Sequence, residues 1–144
     1  MPTRSASAKW EGGLKSGRGT YSGAAGSSLG GQYNFGSRFE EGAGSNPEEL
    51  LAAAEAACFS MALGGGLEGN GTPATGIETT AKCTVAKVEG GFAITTMALE
   101  VKAVVPGIDD AKFQAIAAAT KEGCPVSKVL KGNVDLQLKA TLSS

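Results

Sequence analysis

Histidine is missing from all 144 residues, and that absence removes nucleophile systems built on Ser-His-Asp or Cys-His, together with most zinc sites. A charge of one sign is missing too. Thirteen Lys and Arg face fourteen Asp and Glu, a net of −1. The basic residues are spread from Arg4 to Lys139, so no basic stripe offers a footprint for nucleic acid or anionic lipid. Apolar runs are short. The most apolar stretch, residues 50–67, is interrupted by Glu55 and closes on Gly64-Gly65-Gly66, short of the roughly 20 apolar residues of a bilayer span, and a buried core helix is expected there. The opening Met1-Pro2-Thr3-Arg4-Ser5 leads into no apolar run of signal-peptide length. With only 3 cysteines and no secretory signal, the expected setting is a reducing cytoplasm, where thiols serve chemistry or packing rather than permanent cross-links. The odd number leaves at least one cysteine unpaired.

What is present points to an ordinary globular chain, with 42% hydrophobic and 19% charged residues. Its length fits one domain, residues 1–144, of a size that buries roughly 70% of the surface the unfolded chain exposes. The 22 glycines predict many tight turns. Residues 6–10, 19–22 and 32–35 read as short strands separated by Gly12-Gly13 and a Ser/Gly stretch, which predicts an antiparallel meander. Ser45 or Asn46 then caps a helix that has Pro47 at its first position and Glu48 and Glu49 at the positive end of its dipole. Residues 77–88 and 92–105, rich in Val, Ile and Thr, flank Glu89-Gly90-Gly91 and predict a hairpin. Asp109 or Asp110 opens a helix ending at Gly123, and Cys124-Pro125 starts a short one to about residue 131. Residues 133–142 alternate as a half-buried strand. The fold class is α+β.

Three cysteines compete for chemistry. Cys124 has the better local setting for an acidic thiol, because free N–H groups at a helix start stabilise a thiolate, although a small capping residue would look the same. Cys58 lies among alanines in mid-helix, where apolar surroundings raise a thiol's pKa, and no Lys or Arg lies within a helical turn of it. Taken alone it reads as packing. Cys83, in a strand, reads as structural. Arg38 and Glu48 are candidate charges, with Arg18, Glu49 and Glu55 as competitors, and each has a plain alternative as a solvated or dipole-complementing side chain.

Several segments carry a family resemblance. Asn46-Pro47-Glu48-Glu49-Leu50-Leu51-Ala52-Ala53-Ala54, Ala57-Cys58-Phe59-Ser60 and Gly123-Cys124-Pro125-Val126-Ser127 resemble the signature segments of the osmotically inducible protein C and organic hydroperoxide resistance superfamily. Lys9-Trp10-Glu11-Gly12, Gly91-Phe92-Ala93-Ile94-Thr95 and Val105-Pro106-Gly107-Ile108 are similar to its osmotically inducible branch in order and spacing. The resemblance implies an intertwined homodimer, with antiparallel sheets wrapped around central helices, and a cysteine-based peroxidase that needs no metal, haem or other cofactor. It makes Cys58 the peroxidatic cysteine, Cys124 the resolving cysteine, Glu48 an orienting carboxylate and Arg38 the activating cation, with Arg18 as the alternative of the organic hydroperoxide resistance branch. It also implies an organic hydroperoxide as substrate and a dithiol, such as a lipoylated protein, as reductant. The charge distribution and short apolar runs, for their part, lead us to expect no nucleic acid or membrane partner. A thiol sensor without turnover and a packing protein with inert cysteines are the competing readings.

Overall fold

Glycine punctuation divides the start of the chain into three strands, β1 (Ala6–Glu11), β2 (Arg18–Gly23) and β3 (Gly30–Tyr33), which pair antiparallel in the order β1-β2-β3. This is the expected meander. The computed structural model describes residues 2–143. They form two compact units, one ending at Leu50 and one beginning at Leu51. In the first unit Tyr33 packs against Trp10 and Tyr21, with ring centroids 5.6 and 6.2 Å apart. Gly19 makes room for this cluster, since a Cβ there would come within 2.5 Å of the Tyr33 ring.

The strand expected to reach Phe35 stops at Tyr33, and the chain turns into a short helix, α1 (Phe35–Phe39). A reciprocal cap causes the switch. Asn34 Oδ1 accepts the Ser37 N–H at 2.8 Å, and Ser37 Oγ accepts the Asn34 N–H at 2.9 Å, so two otherwise orphaned donors are satisfied together. The buried Ser37 hydroxyl also donates to the Ser45 carbonyl at 2.8 Å, and Asn46 Nδ2 donates to the Ser37 carbonyl at 2.8 Å. These bonds tie α1 to the start of the long helix α2 (Pro47–Gly69). Of the two expected caps, Asn46 is used: its Oδ1 accepts the Glu49 N–H at 2.7 Å.

The second unit is built on a sheet of β4 (Gly76–Val88), β5 (Gly91–Val104) and β6 (Asp135–Ser143). Strands β4 and β5 form the expected hairpin, Val88 pairing with Gly91, and Gly90 in the turn takes a positive φ of 88°, which glycine adopts without a Cβ clash. The antiparallel sheets that the family resemblance implies need one correction, because β6 pairs with β5 in parallel. A parallel pair requires a crossover, and the helices α3 (Asp110–Gly123) and α4 (Pro125–Leu130) supply it. Asp109, one of the two expected caps, accepts the Lys112 N–H.

The core lies between this sheet and the helices. Phe59, Leu63 and Leu67 recur every four residues on α2 and meet Leu99, Val101 and Ala103 of β5 and Phe113 and Ala117 of α3. At Gly66 a Cβ would come within 3.0 Å of Ile116 Cγ2, so the glycine permits the close approach of α2 and α3. Phe59 is fully buried, and Phe59→Ala should cost about 3–5 kcal/mol of unfolding free energy in a denaturant titration.

Two expectations about α2 are corrected. The helix is not buried all round: Ala53, Ala54, Ala57, Met61 and Gly65 are exposed, Met61 at 84%, because one sheet and one neighbouring helix can cover only one side of it. Nor does it fall short of a membrane span in length, since its 23 residues are long and apolar enough to cross a bilayer by those criteria alone. Its buried row, headed by Glu55 and continuing through Phe59, Leu63 and Leu67, is that of a core helix.

Candidate active site

The geometry begins at the junction of α3 and α4. Cys124 ends one helix and caps the next, with φ −59° and ψ 128° turning the chain between them and Pro125 following at the first helical position. Its backbone N–H closes α3 on the Thr120 carbonyl at 2.8 Å. The residue is 1% exposed, and its side chain makes no capping bond. It reaches α2 instead, where the Cys124 thiol donates to Cys58 Sγ at 2.8 Å. Only a small approach separates the two sulfurs from the ~2.05 Å of a disulfide. Both thiols are free, and Cys58 is the half-buried one of the pair.

Burial pushes the Cys58 thiol above its ordinary range, and the Cys124 side chain and the Glu55 charge push the same way. The opposing influence is a hydrogen bond from the Val126 N–H of α4. The start of α4 was expected to favour a thiolate at Cys124, but this amide serves Cys58. A guanidinium or ammonium able to lower the Cys58 pKa further has to come from outside this cluster.

Glu55 stands one helical turn before Cys58 and is fully buried. Its Oε1 accepts a short hydrogen bond from the Ser127 hydroxyl, and its Oε2 is buried without a partner among the described residues. Sequence reasoning noted Glu55 only as a competing charge and gave Ser127 no role. The available signal was a lone carboxylate in an otherwise apolar run. Cys124 also lines a groove of about 500 Å³ together with Ala62, Gly66, Ile116, Ala119 and Thr120.

The other two candidates meet within the first unit. Arg38, in α1, donates from Nε at 3.1 Å and Nη2 at 3.0 Å to the same oxygen, Glu48 Oε1. The Arg38 side chain is 37% exposed and the Glu48 side chain 6%. Glu48 Oε2 is buried and unpaired among the described residues. The guanidinium also lies 5.0 Å from the centre of the Phe39 ring, within cation–π range. It lines a cavity of about 290 Å³ together with Trp10, Tyr33, Asn34, Phe35 and Phe39.

Arg18 instead pairs with Glu11 at 3.5 Å, both side chains being well exposed, and such pairs contribute little. Glu49 is exposed, and Cys83 is half-buried on β4 opposite Met97. The structure therefore joins Cys58 to Cys124 in one unit and Arg38 to Glu48 in the other.

Comparison with known proteins gives a consistent picture. Residues 40–139 match the family model described as OsmC-like protein. The chain is 50% identical over 135 residues to the peroxiredoxin OsmC of Escherichia coli, covering 92% of this chain and 94% of that protein. It is 33% identical over 98 residues to an organic hydroperoxide resistance protein of Xanthomonas axonopodis, 67% of each chain. The crystal structure of the organic hydroperoxide resistance protein OhrB of Bacillus subtilis superimposes with a TM-score of 0.72 at 27% identity, covering 95% of this chain and 98% of that one. An OsmC-like protein from Mycoplasma pneumoniae shares the fold at a TM-score of 0.76 with 13% identity, over 99% of both chains. By the extent of the family match and the half-identical relative, this chain belongs to the OsmC-like protein family.

Proposed function

We propose that this chain is a cysteine-based peroxidase that reduces organic hydroperoxides, and hydrogen peroxide more weakly, to alcohols and water. The observation that carries the reading is the contact of two free thiols from different helices, 2.8 Å apart, in a chain half identical to a protein named a peroxiredoxin. Cys58 is the attacking residue in this reading, because it is more accessible than Cys124 and receives the α4 amide. Its thiolate attacks the distal peroxide oxygen, the O–O bond breaks, and the alkoxide leaves as an alcohol after taking a proton. The resulting Cys58 sulfenic acid condenses with Cys124 to a disulfide and water. A dithiol, with a lipoylated protein as the candidate, then restores both thiols.

Arg38 is proposed as the cation that favours the Cys58 thiolate and polarises the peroxide, held in orientation by Glu48. Its engagement with a buried carboxylate supports it over Arg18, whose partner is exposed. The reaction draws on side chains alone, without metal or cofactor. The proposed setting is the cytoplasm, in defence against oxidative and osmotic stress, as a single functional domain over residues 1–144.

Steady-state assays with cumene hydroperoxide, tert-butyl hydroperoxide and hydrogen peroxide, with dihydrolipoamide as donor, test the reading. Many equivalents of peroxide should be consumed per chain. Consumption of a single equivalent would instead favour a thiol sensor.

The proposed assembly is a homodimer. The exposed side of α2 is lined by Ala53, Ala54, Ala57, Met61 and Gly65, and a helix that is apolar all round calls for a covering partner. A second copy brings the same small-residue face and satisfies two-fold symmetry. Light scattering should report a dimer, and Met61→Glu should shift it toward monomer. A stable, fully active monomeric wild type would remove the shared helix pair.

A further inference from the structure

Retaining an ionisable carboxyl in an apolar core is costly unless something offsets its lost hydration. Glu55 is fully buried, and among the described residues its carboxylate forms no ion pair and has the Ser127 hydroxyl as its one hydrogen-bonding partner. An apolar residue would pack at this place in α2 without that cost. The position of the pair suggests its use. Glu55 and Cys58 are one turn apart on α2, and Cys124 and Ser127 are equally spaced at the start of α4. Glu55 meets Ser127, and Cys58 meets Cys124. The two links thus form a matched pair of ties between the same two helices. Because α4 has only 6 residues, it is too short to be stable on its own and depends on such ties.

We propose that Glu55 is a positioning residue for disulfide formation: its bond to Ser127 holds the first turn of α4 against α2, keeping Cys124 within reach of Cys58 after Cys58 is oxidised. This rests on the peroxidase reading above. In that step the Cys124 sulfur attacks the sulfenic sulfur of Cys58. The S–S bond forms as the S–O bond breaks, and hydroxide leaves with the Cys124 proton as water. No further oxidant is needed, because the peroxide has already oxidised Cys58. A fixed α4 keeps the effective concentration of the second thiol high, which is where positioning acts on rate.

Glu55 also acts directly on Cys58, since its negative charge, together with burial and Cys124, raises the Cys58 pKa against the pull of the Val126 amide. A neutral replacement that keeps an acceptor oxygen separates this charge effect from the mechanical tie.

The test combines sulfenic-acid trapping at Cys58 after one equivalent of cumene hydroperoxide with the thiol–disulfide equilibrium against dithiothreitol, which involves no peroxide. Ser127→Ala should prolong the sulfenic acid about tenfold or more and weaken the disulfide by a similar factor. Ser127→Thr, which keeps the hydroxyl, should restore both. Glu55→Gln should hold the sulfenic lifetime near wild type while moving the pH profile of Cys58 alkylation to lower pH. Unchanged lifetime and unchanged dithiothreitol equilibrium in Ser127→Ala would overturn the tie, as would failure of Ser127→Thr to restore them. An unmoved alkylation profile in Glu55→Gln would overturn the action of its charge on Cys58. If the wild type forms no sulfenic acid, the peroxidase reading fails, and the dithiothreitol equilibrium still decides whether Glu55 and Ser127 position the cysteine pair.

Discussion

Cys58→Ser is expected to abolish hydroperoxide turnover, lowering it by about three orders of magnitude or more, because a serine hydroxyl neither ionises near neutral pH nor accepts the peroxide oxygen. Cys124→Ser should behave differently. It should reduce one equivalent of peroxide and stop, leaving a sulfenic acid at Cys58 that a dione reagent traps and mass spectrometry locates. The contrast tests the order of events within a pair whose sulfurs lie 2.8 Å apart. A Cys58→Ser protein that retains the fast first reduction would invert the assignment. Cys83→Ser, on strand β4, should change turnover little, and a large loss in a folded variant would require another scheme.

Arg38→Ala should slow the first reaction with peroxide by about tenfold to a hundredfold and shift its pH profile to higher pH. The sign follows from the local electrostatics. Burial, Cys124 and Glu55 already raise the Cys58 pKa, so removing the cation proposed to favour the thiolate should raise it further and reduce the ionised fraction at neutral pH. Arg38→Lys should recover part of the rate, since lysine keeps the charge but loses the planar fork. Glu48→Ala should act in the same direction, because the two bonds to Glu48 Oε1 are what hold Arg38 in one orientation. Stopped-flow measurement of the first turnover against pH reads all three variants. If Arg18→Ala removes the fast phase while Arg38→Ala leaves it intact, the activating arginine is the one exposed beside Glu11.

Most of the helix and hairpin boundaries were legible because they depend on local chemistry. Asn46 and Asp109 cap the helices they precede, Gly90 supplies the positive φ of the hairpin, and Gly123 ends α3 where the pattern stops. Helix α1 was missed because its signal is a single reciprocal cap between Asn34 and Ser37, placed where the residues also suit a strand end. The parallel pairing of β6 with β5 could not be read from alternation, which gives the buried face of a strand and not its neighbour or direction.

The candidate site divides in the same way. The sequence by itself determined the chemical types available: no histidine, three thiols, an arginine and a glutamate near the start of α2, and a cysteine followed by proline at a helix junction. Family resemblance ranked them, since the local setting favoured Cys124. Only the tertiary structure decided that the Val126 amide meets Cys58, that Glu55 is buried against Ser127, and that Arg38 clasps one oxygen of Glu48. The reason is physical. Helix caps and turns are made by neighbours in the chain, whereas the Cys58–Cys124 contact spans 66 residues, and such a contact exists only after α2, α3 and the sheet have packed around a shared core.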